Sequence, residues 1–225
     1  MENMILSFKH KFIFLKTNKT AGTSMEIALS GICDPEDIIT RISDDDQLAR
    51  EALGFPGPQN HIIRDIRNKR GRVPNEHKFF NHMTMKDVLD RLPDLDLSGF
   101  FVFAVERDPV DRMMSLYHFL GGDSRWENFD DFLAKVSKNS WITSWDLYHV
   151  DGVNVADQIY FYEDLTGACE DLSRRFGVEV KLPAYRAKGQ YRKSREISPL
   201  SDFAKEWIRT TFAREYEAYH YTAPV

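Results

Sequence analysis

Cysteine is scarce in this chain. Cys33 and Cys169 stand far apart and form no Cys-x-x-Cys pair, so the expectation is a reduced, intracellular protein rather than one stapled by disulfides. Long apolar runs are missing too. Nothing approaches the ~20 consecutive residues needed to cross a bilayer. The N-terminal MENMILSFKHKFIFLK is interrupted by Lys9, His10 and Lys11 before it reaches signal-peptide length. A soluble, cytoplasmic chain with no transmembrane segment is therefore expected. An excess of positive charge is also lacking. The net charge of -5 argues against a general nucleic-acid binder and requires any anion site to be a local basic feature. No internal repeat or low-complexity tract occurs, and no cluster with metal-ligand spacing is visible.

What is present is ample core material. Of the 225 residues 42% are hydrophobic and 16 are Phe, enough for a single domain over 1–225 with one continuous core. Short apolar runs alternate with helical periodicity, the pattern of an α/β fold with a central, mainly parallel sheet. KFIFL (11–15) reads as the first strand, followed by a helix near 24–29 that Gly31 stops. Residues 34–78 read as an irregular polar insertion, with GFPGP at 54–58 as its clearest breaker. KFFNH (78–82) is predicted as a second strand. Thr84 and Asp87 then resemble a capping box for a helix with Met85, Val88, Leu89 and Leu92 on one face.

GFFVFAV (99–105) is apolar throughout, as a strand covered on both faces must be. Asp108 offers an N-cap and Pro109 an N1 residue for the next helix, whose stripe is Val110, Met113, Met114, Tyr117 and Leu120 and whose end is Gly121-Gly122. QIYFYEDL (158–165) gives another strand, followed by a helix carrying Leu165, Cys169, Leu172 and Phe176. Residues 181–197 lack periodicity and read as a lid-like loop. Ser198-Pro199 opens a last helix with Phe203, Trp207, Ile208 and Phe212 as its apolar face.

The segment KTNKTAGTSME (16–26) leaves the first strand through lysines, hydroxyls and one glycine. Helix N-termini expose unpaired N–H groups and carry partial positive charge, so an anion settles there. Gly22 lets the backbone come close, Thr23 and Ser24 add donors, and Lys19 adds a full charge. The alternative is a βα turn with an ordinary hydroxyl cap. Here the lysine precedes the glycine and no Gly-Lys pair follows, which disfavours the Gly-x-x-x-x-Gly-Lys-Ser/Thr loop of a nucleoside-triphosphate kinase. A second motif, ERDPVDRMMSLYHF, puts Arg107 at the exit of the central strand, where open α/β sheets bind ligands. Its planar fork suits phosphate. An alternative is a structural pairing of Arg107 with Asp108 or of Arg112 with Asp111.

Together the two motifs resemble the sulfotransferases. KTNKTAGTS is similar to their 5′-phosphosulfate loop, Pro-Lys-Thr-Ala-Gly-Thr-Ser, and RDPVDRMMSLY to their 3′-phosphate motif, Arg-x-Pro-x-x-Arg-x-x-Ser-x-Tyr. The resemblance is to the membrane-type carbohydrate sulfotransferases and their bacterial relatives, over about residues 11–219, with Asn18 where the family usually has proline. It implies a P-loop-NTPase-like three-layer α/β/α fold. It also implies the donor 3′-phosphoadenosine 5′-phosphosulfate, with adenosine 3′,5′-bisphosphate as product and no metal. Lys19, Thr20, Ala21, Gly22, Thr23 and Ser24 would hold the 5′ end, and Arg107 and Ser115 the 3′-phosphate. AKGQY (187–191) resembles a lid segment of glycan sulfotransferases, making Lys188 and Gly189 further donor contacts. A monomer or weak dimer is the expectation at family level.

Sulfonyl transfer needs a base for the acceptor proton and a cation at the leaving oxygen. Lys19 takes the second role by position. His82 is the candidate base. It ends a predicted strand on the ligand rim, has an unperturbed pKa of ~6.5, and lies in a stretch similar to the His-x-Ser/Thr of uronyl 2-O-sulfotransferases. His77, His61 and Glu106 are rivals. If Asn60 caps a helix ending at Gly71, then Arg64, Arg67 and Arg70 recur along one side, as a surface for an anionic acceptor such as an acidic glycan or as a solvated face. Trp126, Trp141 and Trp145 could stack on sugar rings or be buried. Three classes stay open: a sulfotransferase with a hydroxyl acceptor on a carbohydrate, small molecule or lipid; a P-loop-type kinase; and a catalytically silent nucleotide-binding module.

Overall fold

The computed structural model describes residues 4–64, 76–79, 82–94, 96–137, 139–184 and 199–225. In chain order the strands are β1 (Ile5–Ser7), β2 (Phe12–Leu15), β3 (Ile38–Ile39), β4 (Ile62–Arg64), β5 (Glu76–Lys78), β6 (Phe101–Glu106), β7 (His149–Val150), β8 (Val153–Asn154) and β9 (Gln158–Phe161). The helices are α1 (Gly22–Ser30), α2 (Asp44–Ala52), α3 (Met85–Arg91), α4 (Pro109–Phe119), α5 (Phe129–Val136), α6 (Leu165–Phe176), α7 (Asp202–Thr211) and α8 (Ala213–Tyr219).

Five strands form the central sheet in the order β3-β1-β2-β6-β9. The β2–β6 and β6–β9 pairs are parallel, while β1 runs antiparallel to both its neighbours. Four of the five strands therefore point one way, and the exits of β2 and β6 lie side by side. The sequence dictates how this sheet is covered. Successive side chains of a strand point to opposite faces. Phe12 and Phe14 of β2, with Phe101, Phe103 and Val105 of β6, join Met25, Ala28 and Leu29 of α1 and Ala168, Cys169 and Leu172 of α6 on one face. Ile13, Leu15, Val102 and Ala104 meet Met85 and Val88 of α3, together with Phe79, Leu147 and Tyr148, on the other. The first face is aromatic, with Phe14 and Phe103 centroids 5.2 Å apart and Phe12 stacked on Phe176 at 4.9 Å. A third cluster packs α4 against α5, α7 and the start of α8 through Met113, Leu116, Phe132, Leu133, Ile208 and Phe212.

The predicted capping box at Thr84 and Asp87 is present, as are the Asp108 cap and Pro109 at the start of α4. Three expectations need correction. Residues 34–78 are not irregular throughout: they hold β3, α2 and β4. α2 has three acidic residues in its first turn, favoured by the helix dipole, but the side chains it buries are Asp46 and Arg50. A helix with a polar inner face leaves no apolar period to read. KFFNH does not add a strand to the central sheet. Its Lys78 closes β5, which among the described residues pairs with β4 in a separate two-stranded sheet, and Phe79 lies buried beyond the strand end. The last helix starts later than Ser198-Pro199, at Asp202 under a Ser201 cap, and its inner face is Ala204, Ile208 and Phe212 while Phe203 is 47% exposed. Cys33 and Cys169 are buried free thiols; burial pushes Cys169 up to about 11. Among the described residues no helix is long and apolar enough to cross a membrane.

Candidate active site

The loop from β2 to α1 is built from the inside out. Thr17 donates its hydroxyl to the Val105 carbonyl, and Thr20 Oγ1 lies 2.7 Å from Thr17 Oγ1. Both threonines are buried, so their hydroxyls fasten the loop to β6 rather than face outward. Lys19 and Ala21 adopt left-handed backbone at φ 61° and 60°. Ala21 is the N-cap of α1, and no side chain caps that helix. The N–H groups of its first turn therefore have no side-chain cap, at the positive end of the helix and beside a left-handed turn of the kind that forms anion nests. Gly22 is required by packing: a Cβ there would lie 2.5 Å from Lys16 Cγ.

Beneath the loop lies a charged group that sequence reasoning missed. Lys16 Nζ donates to Thr23 Oγ1 at 2.9 Å and sits 3.3 Å from Glu26 Oε2. Arg50 Nη2, from α2, lies 3.3 Å from Glu26 Oε1. All three charged side chains are buried. Burial pushes the Glu26 carboxyl up while Lys16 and Arg50 pull it down, and the same burial lowers Arg50. The Thr23 hydroxyl thus already accepts from Lys16, while Ser24 is only half-buried. Lys16 stood in plain view in the sequence, but the buried group it joins draws its other charges from two different helices. Nothing in the local pattern signals Arg50.

At the exit of β6, Arg107 makes contacts that tie the two motifs together. Its Nη1 donates to the Lys19 carbonyl at 2.8 Å, its Nε donates to Asp111 Oδ2 at 2.7 Å, and its guanidinium lies 3.8 Å over the Tyr162 ring. Lys19 Nζ rests 3.9 Å over the Phe119 ring. Asp111, Ser115 and Phe119 recur every fourth residue of α4, so half-buried Ser115 lies on the helix face that meets the loop at both ends. The sequence-predicted residues Lys19, Arg107 and Ser115 are thereby brought to one place. Arg112 is different. It is 1% exposed and donates from Nη1 to Glu106 Oε2 at 3.0 Å and from Nη2 to Ser144 Oγ. Both arginines are paired with acids, but with Asp111 and Glu106 rather than in the pairings weighed above.

His82 has left-handed backbone at φ 54° and stands two residues before the Thr84 cap of α3, not at a strand end. Its Nδ1 lies 2.7 Å from the Lys16 carbonyl. A carbonyl only accepts, so Nδ1 carries the proton and Nε2 of the neutral ring is the basic nitrogen. That bond puts the imidazole at the exit of β2. Glu106, a rival base, is buried, held by Arg112 and by the Tyr148 hydroxyl at 2.8 Å, and pushed up by burial. It anchors the exit of β6 and has no face left for a substrate. His61 lends its carbonyl to Phe79 N and His77 lies in β5.

On the acceptor side the expected helix from Asn60 does not form. Asn60 is left-handed at φ 51°, and Ile62–Arg64 pairs with Glu76–Lys78 as a hairpin. Consecutive β-branched residues favour extended backbone, which removes the three-residue stripe from Arg64; Arg67 and Arg70 lie outside the described residues. So do Lys188 and Gly189. Of the three tryptophans, Trp145 stacks on His149 at 4.0 Å and Trp126 packs edge-on to Phe132, while Trp141 is 41% exposed. Among the described residues no group of three or more His, Cys, Asp or Glu could hold a metal.

Comparison with known proteins bears on this arrangement. A crystal structure of a sulfotransferase from Alicyclobacillus acidocaldarius is similar at 18% identity and a TM-score of 0.46, over 94% of this chain and 96% of that one. No curated protein matches closely enough to count as a relative. The family model described as "Sulfotransferase family" matches residues 2–222, nearly the whole chain. The chain with an uncapped helix at one strand exit and a paired arginine at the next thus belongs to the sulfotransferase family.

Proposed function

We propose that the protein moves a sulfonyl group from 3′-phosphoadenosine 5′-phosphosulfate to an acceptor hydroxyl on a carbohydrate, with His82 as base. The observation that carries this reading is the convergence on one loop of the uncapped N-terminus of α1, His82 at the Lys16 carbonyl and Arg107 at the Lys19 carbonyl. The residues fit such a donor. The N–H groups of Gly22, Thr23 and Ser24, after Thr20 and Ala21, suit the 5′ end. Arg107 and Ser115, on the neighbouring exit, suit the 3′-phosphate, Arg107 sharing its fork with Asp111. Lys188 and Gly189 are carried as further contacts on the resemblance alone.

The donor supplies an activated sulfur bonded to its 5′-phosphate oxygen. In the reaction the bond from that oxygen to sulfur breaks as the bond from sulfur to the acceptor oxygen forms. His82 Nε2 takes the acceptor proton, and the electron pair returns to the phosphate oxygen. Negative charge therefore grows beside Lys19 and the first-turn N–H groups, which stabilise it more in the transition state than before it. As in phosphoryl transfer, positioning and electrostatics carry most of the rate. For the acceptor, exposed Trp141 supports a sugar. Its carbonyl accepts from Asn18 Nδ2 at 2.8 Å, which keeps its main chain beside the loop. An indole left open to solvent offers a flat apolar surface to a pyranose ring. Arg64, Arg67 and Arg70 add charge for an acidic glycan.

The test is calorimetry of the purified chain with adenosine 3′,5′-bisphosphate, followed by a screen of glycans, small alcohols and lipid headgroups with isotopically labelled donor. Binding of the bisphosphate with label transfer to a glycan is expected. No heat with the bisphosphate overturns the donor; label passing only to small or lipid alcohols overturns the carbohydrate acceptor.

A further inference from the structure

Two left-handed residues, Lys19 and Ala21, stand within three positions of each other in the loop. Non-glycine residues persist in that sparsely populated region only where the surroundings over-determine them. The loop receives ties from several elements. His82 holds the Lys16 carbonyl and Arg107 holds the Lys19 carbonyl. Between those points Asn18 makes two more. Its main-chain N–H donates to Ser144 Oγ at 3.3 Å, and its Nδ2 donates to the Trp141 carbonyl at 2.8 Å. Ser144 is fully buried and also accepts from Arg112, whose other arm is on Glu106, the residue before Arg107. A line of side chains, Glu106–Arg112–Ser144–Asn18, therefore joins the exit of β6 to the loop at the exit of β2.

We propose that Asn18 is a positioning residue. By latching the loop to the main chain at Trp141 and to Ser144, it holds Lys19 and the first-turn N–H groups in the geometry that an anion requires. The inference rests on the donor reading above for its link to catalysis, but the latch is a property of the chain itself. A proline at this position would fix φ and give up the N–H. Asparagine instead restrains the loop from outside, through a donor on its main chain and a second on its side chain. The same two bonds make the segment carrying Trp141 part of the active site, although it is more than 120 residues away in sequence.

Hydrogen exchange on the full chain, followed over peptides spanning residues 17–24, tests the latch with no ligand present. Asn18→Ala removes the bond to Trp141 on a partly exposed edge and is expected to leave the thermal midpoint nearly unchanged. It should speed exchange in this segment about fivefold, the factor set by one ordinary hydrogen bond. Asn18→Asp puts an oxygen against the Trp141 carbonyl and should speed exchange further. In parallel, calorimetry with adenosine 3′,5′-bisphosphate should show about fivefold weaker binding for Asn18→Ala, and in turnover the donor KM should rise by more than kcat falls. Wild-type exchange rates in both variants overturn the latch whatever the ligand does. Faster exchange in the variants, with no bisphosphate binding by the wild type, upholds the latch and overturns the donor reading instead. Faster exchange with unchanged bisphosphate affinity overturns the positioning role.

Discussion

The two neighbouring strand exits have the same local grammar, strand then turn then helix, and treat a helix N-terminus in opposite ways. At the exit of β2, α1 begins from a left-handed alanine with no capping side chain. At the exit of β6, α4 begins with Asp108 Oδ1 accepting from Asp111 N at 2.8 Å and with Pro109 supplying no N–H at all. Asp108 N in turn donates to Glu163 Oε1 at 2.9 Å. Its carboxyl is raised by burial first and by the Asp111 and Glu163 charges after that. One helix end has no side-chain cap; the other is closed by its own acids. The donor that the second exit presents is a side chain, Arg107, held by Asp111, whereas the first presents main-chain N–H groups. The difference is one of capping, not of fold.

This contrast can be broken or sharpened by substitution. The largest effect is expected at the open exit. His82→Asn keeps a nitrogen donor for the Lys16 carbonyl and a residue type that tolerates left-handed backbone, while removing Nε2. Turnover should fall by ~10²–10⁴, the usual share of a general base, with bisphosphate affinity in calorimetry within about twofold of wild type. Near-normal turnover would remove His82 from the chemistry. Next comes Arg112→Ala at the closed exit. It leaves the Glu106 carboxylate buried beside Tyr148 without its counter-charge. Urea denaturation should show a loss of about 3–5 kcal/mol.

A smaller effect depends on pH. Glu215, buried in α8, is pushed up to about 7, by burial first and by the Glu106 charge, with Arg112 and Arg214 pulling it down. Below its ordinary value of 4.5 both folded and unfolded chains bind the proton, and no penalty exists. As pH rises from 4.5 to 7 the unfolded chain ionises first, so stability falls through that window and levels off above it. Glu215→Gln should remove a loss of about 3 kcal/mol across the window; parallel pH dependences for variant and wild type would contradict this. The smallest effect is at the cap itself. Asp108→Ala should cost about 1 kcal/mol in chemical denaturation, and no loss would mean that the exit of β6 is not closed by its own aspartate.

Where the sequence was readable, a local physical rule decided the outcome. β6 is apolar from Phe101 to Val105 because both faces are covered, and α3 and α4 announce themselves through caps and apolar stripes. The loop that holds Lys19 and Gly22, and the place of Arg107 beside it, were legible because the turn chemistry around them is local. What stayed hidden was decided by tertiary pairing. α2 buries an arginine against Glu26 of α1, so its inner face has no apolar signature. Thr20 looks like a ligand donor in sequence, yet its hydroxyl lies against Thr17. Arg112 was weighed as a partner of Asp111 and is the counter-ion of Glu106 instead. The arginine period at 64–70 suggested a helix from Asn60, but Ile62 and Ile63 run into a strand that carries Arg64.

Lys16 runs directly under the Cα of Gly22, so the floor of the loop is an aliphatic chain ending in a buried ammonium. Positions 16 and 22 can therefore vary only as a pair. A library that diversifies 22 alone would push the lysine out of its slot. One that shortens 16 alone would open a void under the glycine and strand Glu26 with Arg50 as its remaining neighbour of opposite charge among the contacts seen here. Any redesign of this loop has to begin from those two residues together.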